Sequence, residues 1–216
     1  MIIKHSSNFR EIVMGKIAPG VLYRSNHPIS NGKQVQEIIS AANNVDVKTI
    51  INLSDDFYSL QSKIMYCPWY KKSFEENNVI ALNMDRNYDI MGSKTRQKIR
   101  EAITFMSERV PPYLIHCEAG TDRIGFLTIL LEAFMEAEFD DMVKDYMLSF
   151  VSKKTLSVSD YIHGHRFLHS MFAEIKGAPI NSNDNLHLLT EKYLRHKTGI
   201  NQDVLMILKS KLMGMV

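Results

Sequence analysis

Cys117 and Arg123 stand with five residues between them and Gly120 midway, in the run His116-Cys117-Glu118-Ala119-Gly120-Thr121-Asp122-Arg123-Ile124-Gly125. A thiol and a guanidinium at this spacing suit phosphate chemistry. The apolar run Tyr113-Leu114-Ile115 leads in as a strand, and Ile124 to Met135 leads out as a helix. A strand, a tight loop and a helix N-terminus can converge backbone N–H groups on an anion, and the helix dipole favours negative charge there. Arg123 would grip two phosphate oxygens with its planar fork. Thiols are weak nucleophiles at their ordinary pKa of about 8.5, but such surroundings lower them to about 3.5–7.5. The field that binds the anion thus also activates the thiolate that attacks it. A cysteine at a strand end is more often a buried structural residue. Here His116, Gly120 and Gly125 at fixed offsets favour the phosphate cup.

The elements needed to position that cup are legible on both sides of it. Pro19-Gly20 makes a turn before the strand Val21-Leu22-Tyr23, and Ser30-Asn31-Gly32 turns and caps a helix from Gln34 to Ala42. Lys48 to Leu53 is a β-branched run suited to a buried parallel strand. Asp55 to Lys72 reads as helix then loop, broken at Cys67-Pro68, and Val79 to Leu82 as a short strand. Ser93 would cap a helix from Lys94 to Glu108, with Ile99, Ala102, Ile103 and Met106 along one face. Pro111-Pro112 closes that region. After Glu138 the pattern is helical to the end, with a polar break from Pro179 to Asn185 and a last helix, Asp203 to Leu212, set against the sheet's face. Strands alternating with helices imply an α/β layer fold with a mainly parallel central sheet. The Cys loop then falls at the carboxyl end of a strand, where α/β proteins bind ligands.

Composition limits the alternatives. A chain of 216 residues, 45% hydrophobic and 23% charged, is expected to form one domain over residues 1–216. A net charge of +2 gives no field suited to nucleic acid. No apolar run approaches the ~20 residues of a membrane span, and Met1 to Arg10 has no apolar core of a signal peptide. Two cysteines, Cys67 and Cys117, make no disulfide framework. A catalytic thiol suits a reducing cytoplasm, although oxidation could join Cys67 to Cys117. His163, His165 and His169 form a small cluster without an adjacent acidic or Cys ligand, which argues against a metal site.

The run from His116 to Gly125 resembles the signature of the Cys-dependent protein tyrosine phosphatase superfamily. It looks most like the bacterial tyrosine and dual-specificity group whose loop reads Ala-Gly-Lys-Asp-Arg. Asn8-Phe9-Arg10, Pro19 to Ser25, Thr49 to Leu53 and Asp145 to Ser149 are also similar to segments of that group, and Tyr193 to Leu212 is weakly so. The resemblance implies a four- or five-stranded sheet flanked by helices with a helical C-terminal part. It also implies a two-step mechanism through phosphocysteine, with no metal or other cofactor. Cys117 would be the nucleophile, and Arg123 would bind phosphate and stabilise the transition state. Glu118, Ala119, Gly120, Thr121, Asp122 and Ile124 would line the substrate site, with His116 and Gly125 supporting the loop. A general acid must protonate the leaving oxygen. Asp85, after the Val79–Leu82 strand, ranks slightly ahead of Asp122 inside the loop, and Asp89 third. Arg24 would buttress the site or pair with a carboxylate such as Asp55.

Two departures bear on function. Ile124 stands where the superfamily usually carries Ser or Thr, a hydroxyl that helps the thiolate depart in the second step. Thr121 replaces the group's Lys, so the cup carries Glu118 and Asp122 but no lysine. Lys94, Arg96 and Lys98 lie on the next helix, where their alternation reads as a solvated face. This balance favours a lightly charged substrate such as phosphotyrosine, in a protein or a small ester, over a phosphoinositide or inositol phosphate. The competing readings are a weakened, phospho-ligand-binding pseudophosphatase, motivated by Ile124, and a thiol redox or sulfurtransferase protein. The absence of Cys-x-x-Cys and the length of the loop count against the last two.

Overall fold

The computed structural model describes residues 7–30, 32–150 and 156–215. Asn31, part of the expected first cap, lies outside the described residues. Five strands, β1 (Arg10–Glu11), β2 (Leu22–Ser25), β3 (Thr49–Asn52), β4 (Val79–Ala81) and β5 (Tyr113–His116), form one sheet in the order β1-β2-β5-β3-β4. All neighbours run parallel except the edge pair β1–β2. This is the mainly parallel sheet that strand–helix alternation predicts.

Pleating divides the core into two layers. Leu22, Ile51, Tyr113 and Ile115 face a large layer that contains the C-terminal helices. Tyr23, Ile50 and Leu114 face a smaller layer under α1 (Gly32–Asn44), α2 (Phe57–Ile64) and α3 (Pro68–Glu75). α4 (Ser93–Glu108) buries the expected stripe Ile99, Ala102, Ile103 and Met106. α5 (Asp122–Phe134) is buried from Arg123 to Phe134, so it runs through the large layer rather than over it. α6 (Phe139–Leu148) and α7 (Val158–Lys176) pack on each other. After α8 (Leu186–Lys192) and a π-type turn (Tyr193–Lys197), α9 (Gln202–Leu212) packs against α4 and reaches the core through Leu205, Leu208 and Leu212.

Two local expectations are corrected. Cys67-Pro68 does not lead into a loop: Cys67 caps α3 and Pro68 occupies its first turn, where a missing N–H costs nothing. Ser93 does not cap α4. Gly92 is the N-cap, with no side chain to offer its amides.

The strand register sets where the Cys loop emerges. His116 pairs with Ser25 on one side and Asn52 on the other. Three parallel strands therefore end level, and Cys117 leaves the middle of that edge.

Candidate active site

Residues 117–121 turn from β5 into α5. Gly120 has φ of +70°, a left-handed conformation that suits glycine. A Cβ there would also collide with the side chain of Asn26. Thr121, the N-cap of α5, makes no side-chain cap hydrogen bond, so the first-turn amides remain available to an anion. Cys117 is 2% exposed at the base of a cavity of about 260 Å³. Glu118, Ala119, Thr121, Asp122, Arg123 and Arg86 line the rest of it. Arg123 Nη1 donates to the carbonyls of Met84 (3.1 Å) and Leu53 (3.5 Å), so the ends of the β3 and β4 strands hold the guanidinium against the cup.

The back of the loop is fixed by a buried charge network. The Gly120 carbonyl accepts from Asn8 Nδ2 at 2.5 Å and from Arg24 Nη2 at 3.2 Å. Arg24 also donates to Asp145 (2.9 Å), Ser149 Oγ (2.9 Å) and Thr128 Oγ1 (3.0 Å). Arg10 grips the same Asp145 carboxylate at 2.8 Å and donates to Asn8 Oδ1. Burial and the neighbouring Arg10 bring the Arg24 pKa down to about 10, which still leaves it charged near neutrality. Burial pushes the Asp145 carboxyl up, but Arg10 and Arg24 outweigh it and hold it ionised. Glu132, fully buried beside this network, is driven the other way by burial and by the Asp145 charge. The expected partner of Arg24, Asp55, belongs instead to a second cluster.

That cluster supports the strand end. Tyr70 Oη and His116 Nε2 lie 2.8 Å apart, and Asn52 Nδ2 donates to Tyr70 Oη and to Asp55. The arrangement satisfies Tyr70 when its hydroxyl donates to His116. Burial first, then His27, holds the His116 pKa well below the usual value, so the ring is neutral. Asp55 meets His27 and Lys63, each at 2.6 Å. Burial opposes ionisation of Asp55, but the hydrogen bonds from His27, Lys63 and Asn52 prevail and its pKa is depressed.

The other expected residues are dispersed. Asp85 is exposed, accepts from Asn87 N at 2.9 Å, and lines a cavity beside the cup rather than the cup itself. Asp89 accepts from Met91 N and lines neither. The Ile124 side chain is fully buried in the large core layer. Gly125 admits Tyr146, whose ring would lie 2.7 Å from an added Cβ. His165 and His169 stack at 4.6 Å, and among the described residues no His, Cys, Asp and Glu side chains group to hold a metal. Lys94 and Lys98 face the cavity beside the cup, whereas Arg96 donates to the Lys197 carbonyl, so this is not a uniformly solvated helix face. Among the described residues no helix is long and apolar enough to cross a membrane.

The sequence profile of the tyrosine phosphatase family matches residues 2–214. The chain belongs to this family. Among solved structures, the crystal structure of P. aeruginosa TpbA matches with 14% identity and a TM-score of 0.47, over 88% of this chain and 94% of that one. No curated protein matches. The matched span includes the cup and the residues of the buried network, Asn8, Arg10, Arg24 and Asp145. In the sequence, Asn8, Arg10 and Asp145 stand out only through resemblance, and Thr128, Tyr70 and Asn52 carry no signal. The one available clue is a charged residue, Arg24, directly after the apolar run Val21-Leu22-Tyr23.

Proposed function

We propose that this phosphatase hydrolyses phosphate monoesters, phosphotyrosine in particular, through a phosphocysteine intermediate, with residues 1–216 acting as one catalytic domain. One observation carries the reading: Cys117, Asp122 and Arg123 line the same small cavity at the N-terminus of α5. The Cys117 thiolate attacks phosphorus as the ester P–O bond breaks. The leaving oxygen takes a proton from a carboxylic acid, and Arg123 with the loop amides meets the charge on the transferring group. The resulting carboxylate then takes a proton from water, whose oxygen displaces the Cys117 thiolate and releases inorganic phosphate. Asp122 is the general acid in this scheme because it lines the cup. A reducing cytoplasm fits the two free cysteines.

The test is phosphate release from a small aryl phosphate and from phosphotyrosine peptides under reducing conditions. Wild type turns over, and Cys117→Ser binds without turnover; wild type that binds phosphopeptide without release would make the protein a phospho-ligand binder. The buried, hydroxyl-free Ile124 supports a graded version of that second reading. In that version a burst of product precedes a slow steady state, and Ile124→Thr speeds the slow phase.

A further inference from the structure

Beside the cup lies a larger cavity of about 660 Å³, and the two share Arg86, Glu118 and Arg123. Three elements bring cations to it. Lys63 comes from α2, Arg86 from the segment after β4, and Lys94 and Lys98 from successive turns of α4. Lys63 is engaged by Asp55, and Lys98 by Glu101 at 3.0 Å. Arg86 and Lys94 form no ion pair among the described residues. The first turn of α4 opens here too, since Lys94 and Thr95 line the cavity and the Gly92 cap leaves that turn's amides uncapped. Three carboxylates, Asp55, Asp85 and Glu118, also line this space, Asp55 being the partner of Lys63. A second phosphate would bring about two negative charges against them. The unpaired Arg86 and Lys94, Lys98 with its part-exposed and therefore weak pair to Glu101, and an uncapped helix end match single carboxylates better.

We propose that this basin is a specificity subsite for acidic side chains flanking the phosphotyrosine of a protein substrate. The proposal rests on the reading of the cup as a phosphotyrosine site. The phosphoryl group enters the cup, and neighbouring Asp or Glu side chains reach Lys94, Lys98 and the start of α4.

The test compares a small aryl phosphate, a phosphotyrosine peptide with Ala flanks, and the same peptide with Asp flanks. Wild type should favour the Asp-flanked peptide about fivefold in kcat/KM, through KM, and the gain should shrink as salt rises. Lys94→Ala/Lys98→Ala should erase that preference while aryl phosphate turnover changes by less than about twofold. Lys94→Arg/Lys98→Arg should keep it. Equal wild-type rates on the two peptides overturn the subsite, as does a double variant that loses equally on all three substrates. Faster turnover of an inositol polyphosphate than of the acidic peptide assigns the basin to a second phosphate and overturns the peptide reading. If the aryl phosphate is not hydrolysed at all, the catalytic reading fails separately. Calorimetric binding of the two peptides then still tests the basin, and equal affinities overturn it.

Discussion

The buried guanidinium of Arg24 donates to the carbonyl of Gly120 at 3.2 Å while its other arm holds Asp145 at 2.9 Å. The centre of the Cys117–Arg123 loop is therefore tied to α6 through one side chain on β2. The loop's shape is set from behind, by charges that do not line the cup.

Removing Asp145 leaves the buried Arg24 guanidinium without its counter-charge, at about 3–5 kcal/mol, whereas Arg24→Met leaves Asp145 its second partner, Arg10. Asp145→Asn should therefore lower the free energy of unfolding in urea by about 3–5 kcal/mol, and Arg24→Met by less. Both should lower kcat more than they raise KM, because the loop amides are misaimed at the transition state. A variant of normal stability with normal kcat would break the link between Arg24 and the loop.

Gly120→Ala tests the loop backbone directly. The left-handed conformation costs a side-chain residue about 1–2 kcal/mol, and the new methyl meets Asn26. Turnover should fall about a hundredfold, the effect of roughly 1 Å of misplacement. Adding Asn26→Gly should recover part of the activity by removing the collision, and no recovery would show that the backbone angle alone limits the loop.

Much of this architecture is legible in the sequence for a specific reason. β3 and β5 are buried on both faces, so they read as β-branched or apolar runs without polar alternation, and the α4 stripe reads because one face alone is buried. The Cys117–Arg123 loop reads because its chemistry is local. Arg24 and Asp145 meet across 121 residues, and no local pattern marks such a pair. α3 is hidden by Cys67-Pro68, because proline signals a break in a helix interior and a start in its first turn. The cations of α4 sort into Lys94 and Lys98 on one side and Arg96 on the other only once α2 and the β4 exit are in place.

Acid should weaken the cluster under His116. The Asp55 pKa is depressed in the folded chain by His27, Lys63 and Asn52. Its contribution is therefore complete above the unfolded value of about 3.9 and is lost as pH falls from there through the folded value. Asp55→Asn should cost about 2 kcal/mol at pH 7, of the order expected for a buried charge-assisted contact. The gap to wild type should narrow below about pH 4, by up to about 1.4 kcal/mol per pH unit. Urea unfolding at pH 7, 5 and 3.5 reads this directly, and a constant gap would contradict it.

The general acid is decided by leaving-group chemistry. Asp122 lines the cup with Cys117, whereas Asp85 lines the neighbouring basin and is held by the Asn87 amide at 2.9 Å. An acid matters most when the departing oxygen is basic and least when it leaves readily as an anion. Asp122→Asn should therefore reduce turnover of an alkyl or unactivated phenyl phosphate by about 10²–10³. It should reduce turnover of an activated nitrophenyl ester by about tenfold or less. Asp85→Asn should change both esters alike and by a small factor, since that carboxylate faces the basin. The reverse pattern, a steep leaving-group dependence in Asp85→Asn and none in Asp122→Asn, would require the segment after β4 to swing Asp85 over the cup during turnover.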